Sequence, residues 1–232
     1  MKLKIVTWNI NSIRLREDHV CSLLAKYKPD IICLQELKAP TESVPISRLE
    51  ELGYKYRVIR GQKSYNGVAI ISRIPLSDAD YCDYCLKGDA RHVSARLSNG
   101  VEIQNFYIPA GGDIPNREEN KKFAHKLDFL NEMKVNFIKK RLSKTILVGD
   151  LNIAPLEHDV WSHSQLLKVV SHTPIEIEAL QQVAEAGNFI DITRKNIPDG
   201  LLYSWWSYRS PNWSMSNRGR RLDHIWATSD IA

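Results

Sequence analysis

The residues best suited to chemistry are acids and amides that follow short apolar runs. Asn9 and Asn11 come after the run at 3–8, and Gln35-Glu36 ends the run at 30–35. Tyr107 closes a later run, and Gly149-Asp150-Leu151-Asn152 follows the one at 145–148. Asp223 lies between Arg221-Leu222 and the apolar Ile225-Trp226. Hard oxygen donors with few soft ligands among them suit Mg²⁺ or Mn²⁺ better than zinc. Glu36 is then the main metal carboxylate, with Asn9 beside it as a neutral ligand or phosphate contact. Hydrolysis of a phosphodiester needs a positioned water and positive charge on the developing oxyanion. Asp150, fixed by its turn, is the natural group to orient and deprotonate that water. Each residue taken alone also reads as a helix cap or turn residue. Their recurrence at the ends of strands is what argues for a common cleft.

The elements that must carry these residues form an α/β pattern. Residues 3–8 read as a strand, 15–27 as a helix and 30–35 as a second strand. Further strands are expected at 56–59, 67–72, 92–97 and 101–107, the last two joined by the turn Ser98-Asn99-Gly100. Phe123, Leu127, Leu130 and Phe137 recur at helical spacing within 120–141, and 145–148 makes a buried strand. Thr173-Pro174-Ile175-Glu176 is a capping box with proline at the first helical position, and Gly187 supplies the stop. Strands are expected at 189–193 and 222–227. Hairpin and crossover connections both occur, so the expected fold is a layered α/β sandwich with mixed sheets.

Composition fits this reading. The 232 residues, 43% hydrophobic and 25% charged, suffice for one large domain spanning 1–232. No apolar run approaches the roughly 18 residues of a membrane span, and the N-terminus lacks a signal-peptide run, so a soluble cytoplasmic protein with no membrane partner is expected. Cys21, Cys33, Cys82 and Cys85 read as reduced thiols, and the Cys82-Asp83-Tyr84-Cys85 spacing as incidental rather than as a metal or redox pair. The net charge of +5 favours a polyanionic partner. In Trp205-Trp206-Ser207-Tyr208-Arg209, and again in Trp213 and Arg218-Gly219-Arg220-Arg221, stacking surfaces interleave with guanidiniums that suit phosphates. The competing reading makes these tryptophans core and these arginines a solvated rim. His158, His163 and His172 match no metal-ligand spacing and read as structural, and Lys121-Lys122 and Lys139-Lys140-Arg141 as the solvated face of a helix.

Taken in order, Thr7-Trp8-Asn9-Ile10-Asn11 with Arg14, Leu34-Gln35-Glu36-Leu37-Lys38, Gly67-Val68-Ala69-Ile70, Tyr107-Ile108-Pro109, Gly149-Asp150-Leu151-Asn152 and Arg221-Leu222-Asp223 resemble the motifs of the exonuclease III family of abasic-site endonucleases. Trp205-Trp206-Ser207-Tyr208-Arg209-Ser210 is similar to that family's substrate-side segment. The resemblance implies a four-layer, DNase I-like sandwich of two packed mixed sheets with outer helices. It also implies dependence on Mg²⁺ or Mn²⁺, and double-stranded DNA with abasic sites or blocked 3′ ends as partner. The activity implied is incision 5′ to the abasic site, with 3′-end cleaning and 3′-to-5′ exonuclease action, by a monomer in the bacterial cytoplasm at the nucleoid.

Carried over position by position, Glu36 and Asn9 serve the metal and Tyr107 contacts the scissile phosphate. Asp150 and Asn152 align water and phosphate, and Asp223 orients a histidine. Asn11, Lys38, Trp205, Tyr208, Arg209 and Arg221 fall on the substrate side. The family's histidine belongs to a final Ser-Asp-His segment that the sequence does not contain up to Ala232, so the chain is expected to lack the last strands. His224 is no substitute, because strand alternation turns it to the face opposite Asp223. Ala110 stands where the family carries an amide. Two other readings remain: a phosphatase of the same fold acting on a small ester, and a DNA-binding protein without turnover.

Overall fold

The computed structural model describes residues 2–232; Met1, part of the N-terminal stretch read as free of a signal run, lies outside them. The chain divides into two compact units, the first reaching Tyr107 and adding Lys144–Asp150, the second made of Ile108–Ser143 and Leu151–Ala232. Among the described residues no helix is long and apolar enough to cross a membrane.

The first unit runs β1 (Ile5–Asn9), α1 (Ile13–Tyr27), β2 (Ile31–Gln35), α2 (Ser47–Glu51), β3 (Tyr56–Arg60), β4 (Val68–Ser72), β5 (Ser77–Asp80), β6 (His92–Arg96) and β7 (Glu102–Tyr107), and is completed by β8 (Thr145–Asp150). One sheet has the order β1-β2-β4-β3, parallel between β1 and β2 and antiparallel elsewhere. In the other, β5, β6 and β7 are antiparallel neighbours and β8 lies parallel to β7. Both are therefore mixed, as expected.

The side-chain period of two along β2 explains how the layers bond. Ile32 and Leu34 pack with Ala69 and Ile71 against Ile13, Val20 and Leu24 of α1. Gln35, on the alternate face, reaches the second sheet, where its amide nitrogen donates to Asn105 Oδ1 at 2.7 Å. Asn105 returns two bonds, to the carbonyls of Leu34 and Ala69 at 3.0 and 2.9 Å. Both amides are fully buried, so truncating either would strand donors and carbonyls, at a cost of about 1–3 kcal/mol for each group left unpaired.

The second unit contains α3 (Lys121–Lys140), α4 (His163–Leu166), α5 (Pro174–Ala186), β9 (Phe189–Asp191), α6 (Ile192–Asn196), β10 (Trp205–Trp206), α7 (Trp213–Ser216), β11 (Gly219–Arg220) and β12 (Asp223–Thr228). Asn120 caps α3 by accepting from the Lys122 amide, and Arg141 ends it in the left-handed conformation. The capping box read from Thr173 and Glu176 starts α5. Helices α3 and α5 pack together, and β9 pairs antiparallel with β12.

The strand expected over 189–193 is cut short. Asp191 accepts a hydrogen bond from the Arg194 amide and so becomes the N-cap of α6, turning Ile192 and Thr193 into helix. Strand β5 and the two-residue pair β10 and β11 were not expected either.

Candidate active site

In the first unit, both parallel strand pairs finish on polar residues. The register sets Asn9 opposite Gln35 at the end of β1 and β2, and Tyr107 opposite Asp150 at the end of β7 and β8. Carboxyl ends of parallel strands are where α/β proteins place their ligands. Gly149 permits the second pairing, since a Cβ there would lie 1.9 Å from the Phe106 carbonyl oxygen. The residue before Asp150 therefore has to be glycine for β8 to run so close to β7.

The side chains at these ends join in one cluster. Asn9 Nδ2 donates to Glu36 Oε1 at 3.0 Å and to Asp150 Oδ2 at 2.8 Å, bridging the two carboxylates. Tyr107 donates its hydroxyl to the same Glu36 oxygen at 2.6 Å. Lys38 pairs with Glu36 Oε2 at 2.7 Å and donates to Asn11 Oδ1 at 2.6 Å. The Asn11 amide in turn donates to Asn9 Oδ1 at 3.1 Å, which fixes how the bridging amide is turned. Asn9, Asn11, Glu36, Lys38, Tyr107 and Asp150 are therefore linked in one network, while Gln35 turns to Asn105.

Backbone and electrostatics single out the same residues. Asn11, Glu36 and Lys38 have φ of 46°, 55° and 50°. Left-handed backbone at residues other than glycine costs of order 1 kcal/mol and gathers at functional sites. Burial by itself would raise the Glu36 carboxyl, but hydrogen bonds from Lys38, Tyr107 and Asn9, with the Lys38 charge, hold it below the usual carboxylate range. Burial, and then the charges of Glu36 and Asp150, push the Tyr107 hydroxyl far up, so it remains a neutral donor at any working pH. Asn9 thus holds two carboxylates side by side, a concentration of hard oxygens at the strand ends. Mg²⁺ is commonly held by only one or two protein carboxylates, with water and substrate phosphate completing the shell, so the carboxylates of Glu36 and Asp150 fit a hard divalent cation, with the Asn9 amide beside them.

The second unit carries the remaining residues. Asn152, at φ 54°, donates its side-chain amide to the Ile108 carbonyl at 2.9 Å. Asp223 Oδ2 accepts from the Ser204 hydroxyl at 2.7 Å, while Oδ1 is buried with no hydrogen-bond donor among the described residues. Burial pushes this carboxyl above the usual range, against the opposing bond from Ser204. Ser204 was not singled out in the sequence, although its place at the head of the Trp205 segment was a usable signal.

The aromatic segment is a surface. Tyr208 is 77% exposed and Arg209 is exposed, whereas Trp205 is half-buried beneath the Arg220 guanidinium at 5.7 Å. Trp161, Trp205, Trp206 and Trp213 line a recess together with Arg218 and Arg220. Of the two readings of this segment, stacking surface or core with a rim, the first describes it better.

Arg221 requires a correction. It was expected on the substrate side, but it is 1% exposed and its guanidinium is committed inside the unit. It donates to both oxygens of Asp159, at 2.7 and 2.8 Å, and to Asp191 at 2.7 Å. Arg194 shares Asp159. His224 is fully buried, with Nε2 2.8 Å from the Ile153 carbonyl and Nδ1 3.1 Å from Arg221, so it belongs to this network.

Comparison with known proteins agrees with this geometry. Residues 6–232 match the Endonuclease/Exonuclease/phosphatase family. Exodeoxyribonuclease III of Haemophilus influenzae is 27% identical over 248 aligned positions, which cover 99% of this chain and 89% of that protein. The AP endonuclease of Archaeoglobus fulgidus superposes with a TM-score of 0.90 at 32% identity, covering 98% of this chain and 87% of the other. The 3′ phosphatase NExo from Neisseria, solved with a product DNA hairpin, does so with a TM-score of 0.90 at 31% identity and the same coverage. A match along nearly the whole chain, with the strand-end residues falling into one cluster, identifies a mixed α/β hydrolase: the chain belongs to the endonuclease/exonuclease/phosphatase family, with exodeoxyribonuclease III and the AP endonucleases as its relatives.

Proposed function

We propose that this DNA-repair nuclease hydrolyses phosphodiesters of duplex DNA with Mg²⁺ or Mn²⁺, incising 5′ to abasic sites and trimming blocked 3′ ends. The observation that carries the reading is the pair of carboxylates, Glu36 and Asp150, bridged by Asn9 and joined by the Tyr107 hydroxyl. The family depends on divalent metal, and Glu36 with Asn9 would hold the ion. Once bound, the ion supplies positive charge against the phosphate.

The remaining steps belong to protein groups. Asp150 orients the attacking water and takes its proton. Tyr107, kept neutral, donates a hydrogen bond to a non-bridging phosphate oxygen as charge develops there. Lys38 is partly exposed and can turn its ammonium from Glu36 to a phosphate. Asn152 aligns the phosphate. The unpaired Oδ1 of Asp223 is an acceptor suited to an imidazole N–H, the role that the family resemblance gives it. Trp205, Tyr208 and Arg209 offer stacking and charge to the strand. In this reading the protein works as a monomer in the bacterial cytoplasm, at the nucleoid.

The same-fold alternative, a phosphatase for a small ester, has no use for an exposed aromatic and arginine surface. The natural full-length protein should cleave an abasic duplex with Mg²⁺, stop when EDTA is added, and leave inositol phosphates intact. Binding of the duplex without metal-dependent cleavage would instead support a DNA-binding protein without turnover.

A further inference from the structure

Lys126 and Glu176 are both fully buried, one on α3 and the other on α5, and they form an ion pair. A buried ion pair adds little to stability over an apolar pair of the same volume. What it can do is fix direction, and here the direction leads to Asn152. The Lys126 ammonium donates to Glu176, to the Asn152 carbonyl at 2.8 Å and to the Ala110 carbonyl at 3.2 Å. These carbonyls lie just after Gly149-Asp150-Leu151 and Tyr107-Ile108-Pro109. Gly111 makes room for the lysine stem, since a Cβ there would meet Lys126 Cδ at 3.0 Å.

Glu176 holds the adjoining loop. Its carboxylate accepts from the Ser171 amide at 3.0 Å through each oxygen, and from the amide and hydroxyl of Thr173. Ser171 then accepts from the Ala154 amide at 2.8 Å, and the His172 ring nitrogen Nδ1 binds the Ala154 carbonyl at 2.6 Å. The segment from Asn152 to Ala154 is thus gripped at three backbone atoms by groups that trace back to this pair. Asn152 has left-handed backbone at φ 54°, a conformation that persists only where its surroundings impose it.

We infer that Lys126 and Glu176 are positioning residues that set the place of the Asn152 side chain, acting through its backbone. This rests on the proposed role of Asn152 in aligning the phosphate. The test uses the natural full-length protein, an abasic duplex and Mg²⁺, and compares Asn152→Ala, the neutral double variant Lys126→Met with Glu176→Gln, and the three changes together. The double variant should lower kcat by about 10- to 100-fold, the usual penalty for misplacing a catalytic group by about an ångström. KM and DNA affinity should change less than about threefold, and unfolding should stay cooperative, because Asn152 is lost only from the reacting geometry. Added to Asn152→Ala, the double change should cost nothing more.

A folded double variant whose kcat falls less than tenfold, or one whose loss is repeated in full on the Asn152→Ala background, would overturn the inference. If the double variant does not fold, Lys126→Arg decides, because it keeps the charge and moves the donors: a tenfold fall in kcat at unchanged KM supports positioning, and a smaller one overturns it. Normal turnover by Asn152→Ala would instead sink the role of Asn152 itself, so the two failures are told apart.

Discussion

Each unit of the molecule contains a cluster of acids beside bases, and the two clusters are built to opposite ends. In the second unit, Asp159 and Asp191 meet Arg194 and Arg221, carboxylate for guanidinium, with Asp159 fully buried and Asp191 partly so. Burial would raise both acids, but Arg221 and Arg194 hold Asp159, and His224 and Arg221 hold Asp191, below the usual range. In the first unit, Lys38 pairs with Glu36, and neutral donors from Asn9 and Tyr107 reach Glu36, Asn9 bridging on to Asp150. A balanced cluster with planar, bidentate partners closes a fold. Paired carboxylates bridged by a neutral amide at the ends of parallel strands suit the cation and phosphate of the proposed function.

Substitutions should separate the two. The largest effect on turnover is expected from Asp150→Asn, which should lower kcat about 10³-fold, as loss of a general base does, with little change in thermal midpoint. Asp159→Asn should do the reverse. It leaves two buried guanidiniums undercompensated and should cost about 3–5 kcal/mol of unfolding free energy by denaturant titration, while the molecules still folded turn over normally. A kcat loss in Asp159→Asn at intact stability would erase the distinction.

Asp223→Asn should affect both properties. Because burial raises this carboxyl, its ionised form is a burden on the folded state at neutral pH, relieved as the pH falls through the raised value. The amide should therefore raise the thermal midpoint, while kcat falls about 100-fold. A lower midpoint would contradict the account of Asp223.

The smallest signal is in the pH dependence of Asp191→Asn. A depressed carboxyl gives stability that is fully present above the unfolded value, about 3.9, and is lost as the pH falls through the lower folded value. The difference in unfolding free energy between the natural chain and this variant should be flat from about pH 7 to 5 and shrink only below about pH 4. A difference that changes between pH 7 and 5 would contradict this account of Asp191.

Much of the first cluster could be read in the sequence because its residues end apolar runs or follow them within a few positions, and the apolar run alone predicts where a strand stops. The α5 cap was legible to the residue, since Thr173, Pro174 and Glu176 act locally. Arg221 was misread because its neighbours Arg218 and Arg220 suggested a surface, while its partner Asp159 lies far away in the chain. Nothing in a run of arginines says which guanidinium turns inward. Strand β5 was missed because all its residues are exposed and show no apolar alternation, and β10 with β11 because two-residue strands have no period. Lys126 was legible in principle. Phe123, Lys126, Leu127, Leu130, Met133 and Phe137 form the buried stripe of α3, so a lone cation at that spacing pointed to a buried partner.

The central claim, that the cluster at Glu36 is the metal centre, is tested most directly by titrating Mn²⁺ into the natural protein and into Glu36→Gln by calorimetry. The account predicts binding in the natural protein that weakens at least about tenfold in the variant, since a hard cation loses its main carboxylate. Equal affinity in the two proteins would contradict it and move the metal elsewhere.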